Sequence, residues 1–70
     1  MSKWKQVVSY LGDGMTNDEI ADRIGISARG VRWYTAALMR INGLYGKAEF
    51  RKLVSLAARR RLRLPGGTRV

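Results

Sequence analysis

Neither cysteine nor histidine occurs among the 70 residues of this chain, and each absence closes off a kind of chemistry. Without thiols there is no disulfide framework and no thiolate metal site. Without imidazole, the commonest metal ligand and the commonest general base are both gone. Acidic side chains are scarce too, five against fourteen Lys and Arg. Of these, Asp13 reads as a loop residue, and Asp18, Glu19 and Asp22 as charges in an early helix rather than as catalytic pairs. The inventory therefore predicts no enzyme, no cofactor and no metal site. No apolar run approaches the length of a membrane span, and no signal-peptide core is present, so a soluble cytoplasmic protein is expected. The one proline, Pro65, opens a Pro-Gly-Gly run that cannot continue a helix. Residues 64–70 are accordingly expected to form a flexible tail behind a single small domain spanning 1–63.

What the chain has in excess is positive charge, and it is unevenly placed. Residues 1–22 hold two lysines against four carboxylates, while residues 23–70 hold twelve basic side chains against Glu49 alone. A formal charge of +9 on so small a domain points to a polyanionic partner. Charge alone does not choose between DNA, RNA and an anionic membrane surface.

The stretch from Thr16 to Arg40 makes that choice sharper. Thr16 and Glu19 have the spacing of a capping box, and Asn17 and Asp18 suit the positive end of a helix dipole. Ile20, Ala21 and Ile24 form an apolar stripe, Gly25 supplies a helix stop, and Ile26 is expected to be buried in the turn. Ser27 can then cap a second helix running to about Asn42, with Gly43 as its stop. At about 100° per residue, Val31, Tyr34, Thr35, Leu38 and Ile41 of that helix fall on one side. Arg29, Arg32, Trp33, Ala36 and Arg40 fall on the other. Guanidinium groups suit guanine edges and phosphates. A lone arginine stripe is more often a merely solvated face. Here it accompanies a capped short helix and a glycine turn, which together describe a helix-turn-helix.

The flanking segments complete an all-α, four-helix domain. Trp4, Val7, Val8 and Leu11 have the i, i+3, i+4, i+7 pattern of a helix with one buried face. Gly12-Asp13-Gly14 breaks it, and Met15 is placed to pack against Ile20 across the next cap. After Leu44-Tyr45-Gly46 a last helix is expected from Lys47 to Leu62, with Phe50, Leu53, Val54 and Ala57 on its core face. Arg59, Arg60, Arg61 and Arg63 would then crowd its final turns.

With these elements assigned, the order of residues resembles the DNA-binding domain of the LuxR (GerE-type) regulators. The resemblance runs from Lys3 to Ala57. It is most specific at Gly14-Met15-Thr16-Asn17-Asp18-Glu19-Ile20-Ala21, at Ile24-Gly25-Ile26-Ser27 and at Val31-Arg32. The spacing to Gly43 and the segment Lys47-Ala48-Glu49 also fit. The resemblance implies that the third helix enters the major groove and that the fourth pairs two protomers. By position, Arg32 and Trp33 fall where base-contacting residues sit, Ala36 takes a place often held by a polar or basic contact, and Lys47 matches a phosphate-meeting cation. The chain departs from the family in having Gly30 for a usual Thr, Tyr34 for a customary His, and Ile41-Asn42 for a Lys-Leu pair. Seventy residues leave no room for the receiver or ligand-binding domain that relatives commonly carry, so ligand sensing or phosphorylation within the chain is not expected. A small stand-alone module fits a bacterial, phage or other mobile-element regulator.

The reading that follows is a sequence-specific double-stranded DNA-binding transcription regulator acting as a homodimer. Its expected DNA-binding residues are Ser27, Arg29, Gly30, Arg32, Trp33, Ala36, Arg40 and Lys47. Its dimer contact is expected at Leu56, Ala58 and Leu62, on a fourth helix whose core face is already supplied. The same leucines keep open a second reading, an interaction protein that pairs with a LuxR-type regulator or RNA polymerase. A likeness to the promoter-reading helix-turn-helix of sigma factors is looser, and membrane binding by the arginine-rich end is more distant still.

Overall fold

The computed structural model describes residues 3–67, and among them there are four α-helices and no strand. They are α1 (Lys3–Gly12), α2 (Asn17–Ile24), α3 (Ala28–Ile41) and α4 (Phe50–Ala58), with a single 3-10 turn at Lys47–Glu49 leading into α4. The small all-α architecture is the expected one. Val7, Val8 and Leu11 of α1 are buried, as their spacing requires, and meet Ile20 and Ala21 of α2, Val31 and Leu38 of α3, and Leu53 and Ala57 of α4 in one core. Met15 packs against the same core, while Ile26 in the turn is half-buried.

Helices α1 and α4 approach each other at Gly12. A Cβ built there would stand 3.1 Å from the carbonyl of Ala57 and from the Cα of Ala58. Those are backbone atoms, which cannot swing away, so the bare glycine sets how closely the two helices pack. Sequence reading makes Gly12 only a helix breaker; its place in the packing becomes visible once α4 is laid across it.

The C-terminal third departs most from expectation. The fourth helix does not run from Lys47 to Leu62: it begins at Phe50, after the 3-10 turn, and ends at Ala58. Arg59 and Arg60 reverse the chain. Arg61 donates its backbone N–H to Leu56 at 2.9 Å and Arg60 donates to Ala57 at 3.1 Å, the paired bonds of a Schellman motif. That motif needs a left-handed residue, and Arg60 takes the role at φ 56°.

The chain then runs extended, so that alternate side chains point opposite ways. Leu62 and Leu64 turn inward and are buried, while Arg61 and Arg63 stay exposed. Asn42, at the end of α3, holds this segment in place. Its Oδ1 accepts the Arg63 N–H at 2.8 Å, and its Nδ2 donates to the Arg63 carbonyl at 3.1 Å and to Leu38 at 2.8 Å.

Two expectations change as a result. Leu62 is completely buried and has no side-chain surface to offer a second protomer. The packed domain does not stop at residue 63, because Leu64 belongs to the core. Of the rest of the expected tail, Pro65, Gly66 and Gly67 are exposed, and residues 68–70 lie outside the described residues. Helix propensity alone favours continuing through four arginines; the burial of two leucines, about 1.5–3 kcal/mol each when complete, outweighs it.

Candidate nucleic-acid interface

The expected capping box opens α2. Thr16 Oγ1 accepts the Glu19 N–H at 3.2 Å, and Glu19 Oε1 accepts the Thr16 N–H at 2.9 Å. The bond from the Thr16 N–H favours the ionised carboxylate and, with the Thr16 hydroxyl and Arg23 nearby, holds Glu19 below its ordinary pKa. At the far end Gly25 sits at φ 82°, where its N–H and that of Ile26 both reach the Ala21 carbonyl, at 2.8 and 3.1 Å. Residues 25–27 then turn the chain into α3. Ser27 caps it by accepting the Gly30 N–H on Oγ at 3.0 Å.

The core side of α3 is nearly as expected. Val31, Thr35 and Leu38 are buried, and the Thr35 hydroxyl, which would otherwise be stranded there, donates to the Arg32 carbonyl at 3.0 Å. Tyr34 is half-buried. Ile41, assigned by periodicity to the same side, instead lies at its margin and is 38% exposed.

The opposite side carries the expected interface. Arg29, Arg32, Trp33, Ala36 and Arg40 are all exposed. At 3.6 residues per turn, Arg29, Trp33, Ala36 and Arg40 fall within an arc of about 60°, with Arg32 on one flank. From Arg29 to Arg40 the helix rises about 16 Å, enough to track a major groove that is about 12 Å wide. Gly30 is half-buried beside Ser27, and Ser27 is exposed. Among the described residues, an ion pair joins Lys52 to Glu49 at 3.1 Å, and no carboxylate pairs with Arg29, Arg32, Arg40 or Lys47. Their charge is left for an external anion. Lys47 lies in the 3-10 turn rather than on α4, exposed beside the C-terminal half of α3.

Trp33 has a second attachment. Its ring lies 5.6 Å from that of Trp4 and 5.1 Å, edge-on, from Tyr34, and Trp4 meets Tyr34 edge-on at 4.7 Å. The ring is 62% exposed, yet it is oriented by α1. Position in sequence makes Trp33 a surface contact and Trp4 a core residue; the structure joins them in one aromatic cluster bridging α1 and α3. Such pairs contribute about 0.5–1.5 kcal/mol beyond their buried area.

The expected dimer surface is reduced. Leu56 is half-buried and packs against the core, and Leu62 is inside it, leaving Ala58, at the edge of the contact with Gly12, as the one exposed member of the three. Around Ala58 the outer side of α4 presents Arg51, Lys52 and Ser55, with Arg59 following.

A capped short helix, a glycine turn and a longer helix with an unpaired cationic face define a helix-turn-helix DNA-binding domain. The chain matches the model of bacterial regulatory proteins, luxR family, over residues 2–42, more than half its length, and it belongs to that family. Domains of this family are DNA-binding regulators of transcription and not enzymes. The match ends at Asn42, so α1 to α3 fall within it and α4 does not. No curated protein and no solved structure matches the chain. No helix among the described residues is long and apolar enough to cross a membrane.

Proposed function

We propose that the chain is a sequence-specific double-stranded DNA-binding transcription regulator of the cytoplasm, with α3 seated in the major groove. The observation that carries this reading is the face of α3, where Arg29, Arg32 and Arg40 are exposed without a carboxylate partner among the described residues. Arg32 is assigned to a base edge, and Trp33 and Ala36 to contact with the groove floor, where a ring and a methyl suit a thymine methyl. Ser27, Arg29, Gly30, Arg40 and Lys47 are assigned to the phosphates on either side, by hydroxyl, backbone approach or charge. A single module buries only about 600–1,000 Å² on DNA, so useful affinity calls for two copies on a two-fold site. Because α4 meets solvent through a cationic and small-residue surface, the homodimer is assigned to the DNA-bound state.

Selection of bound sites from random duplex DNA at a stated salt concentration tests the reading. An enriched inverted repeat is expected. Arg32→Ala should then cost about 1–3 kcal/mol at the enriched site and flatten discrimination at one position of each half-site. Recovery of unenriched sequence by the wild-type chain would leave a non-specific nucleic-acid binder. Unchanged discrimination in Arg32→Ala would remove Arg32 from base reading.

A further inference from the structure

Beside the arginine face of α3 lies a groove of about 690 Å³, between the second half of that helix and the chain that follows it. Met39, Leu44 and Phe50 give it an apolar lining. All three are half-buried and pack against the core, so the groove is held open by the fold. Tyr45, 71% exposed, also lines it, and Arg40 and Lys47 supply its charge. Asn17, at the start of α2, completes the lining and keeps its Oδ1 shielded from solvent with no hydrogen-bond partner in the protein.

A duplex accounts for only part of this. Phosphates can use Arg40 and Lys47, but a highly charged backbone gains nothing from Met39, Leu44 and Phe50. The volume and the mostly apolar lining with a few polar groups are those of a small-molecule site. The two cations fix the sign of the ligand's polar group.

We propose that this groove binds a small amphiphilic anion, an aromatic or aliphatic body bearing one acidic group, and that its occupancy excludes DNA. The apolar body covers Met39, Leu44 and Phe50, and the acid meets Lys47 and Arg40. Exclusion follows because Ala36, Arg40 and Lys47 line the groove and also belong to the face assigned to the duplex. This second half rests on the DNA-binding reading; the binding of the anion does not.

The test uses 8-anilinonaphthalene-1-sulfonate titrated into the full chain without DNA. It is followed by fluorescence and by the NMR signals of the Met39 and Leu44 methyl groups. Saturable one-to-one binding is expected, with shifts concentrated at those methyls. Lys47→Glu should weaken it about tenfold, the loss of one charge-assisted contact. Arg51→Glu, the same charge change on an exposed residue outside the groove, should leave it within about twofold. Equal weakening by the two variants, or shifts spread over the core, would overturn the site.

A second arm follows the anisotropy of a labelled duplex at low salt as the probe is added. Release with a midpoint tracking the probe's own affinity supports exclusion, and a ternary complex overturns it. A duplex that never binds, while the probe still does, removes the DNA reading and with it exclusion, and leaves the site standing.

Discussion

Gly30 occupies the first turn of the helix assigned to the major groove, where glycine is a poor choice for helix stability. Its surroundings do not require it. A Cβ there would meet Ile26 Cδ1 and Ser27 Oγ at 3.5 Å, which is ordinary contact. The Ser27 cap uses the residue's N–H, which alanine retains. Gly30→Ala should therefore raise stability by about 0.5–1 kcal/mol in denaturant unfolding. Stabilisation with DNA affinity intact would mark the glycine as a tolerated defect; stabilisation with affinity lost would show that phosphate needs the space. Arg60 presents the opposite case, a side chain where glycine belongs. Gly25 and Gly43 occupy left-handed positions at the ends of α2 and α3, at φ 82° and 70°, and Arg60 does the same work after α4 at φ 56°. The left-handed conformation costs an L-residue about 1–2 kcal/mol, partly offset by the entropy that glycine would lose on folding. Arg60→Gly should gain about 0.5–1 kcal/mol, measured by the same unfolding experiment, whereas Arg60→Lys should change little. An arginine kept against that cost is consistent with a use for its charge.

Among the elements, the turn and caps of the α2–α3 hairpin are legible in the sequence, because their signals are local, while Ile41 is more exposed than periodicity alone places it. Thr16 with Glu19, Gly25, and Ser27 each act within one turn of the residues they cap, and no distant packing is needed to read them. The C-terminal segment was not legible for the converse reason. Helix formers continue through Arg63, and what ends α4 is the pull of Leu62 and Leu64 toward a core built mostly by earlier helices. Asn42 was the available signal, a polar residue where the family places an apolar one, but its partner lies 21 residues away. Periodicity suffices to expose Arg29, Arg32 and Arg40 on α3, while the tie between Trp33 and Trp4 depends on how α1 crosses α3. Asn42 also yields a prediction at this scale. Asn42→Ala removes three hydrogen bonds to Leu38 and Arg63 and should cost about 1–2 kcal/mol, seen as a thermal midpoint lower by several degrees. Asn42→Asp keeps the acceptor for the Arg63 N–H and should fall between. Equal midpoints for wild type and Asn42→Ala would mean that the buried leucines alone hold the segment.

For the whole molecule, the question is how a domain of net charge +9 meets a second copy of itself. If α4 is the contact, a two-fold axis brings the exposed Arg51, Lys52 and Arg59 of each copy toward those of the other, around Ser55 and Ala58. Like charges at such a surface repel, and with Leu62 in the core and Leu56 half-buried there is little apolar area to oppose them. Free in solution, the chain should sediment as a monomer at micromolar concentration. On an inverted repeat the phosphates supply the opposing charge, and two copies should bind together. Leu56→Glu does not test this cleanly, since Leu56 also packs against the core. Ser55→Arg does, because Ser55 is exposed on the outer side of α4 away from Gly12 and arginine is a good helix former. The variant should keep the wild-type unfolding midpoint and bind an isolated half-site at least as well, helped by its added charge. On the full repeat it should bind as two independent copies. Retained cooperativity in sedimentation on the inverted repeat would place the contact between protomers somewhere other than α4.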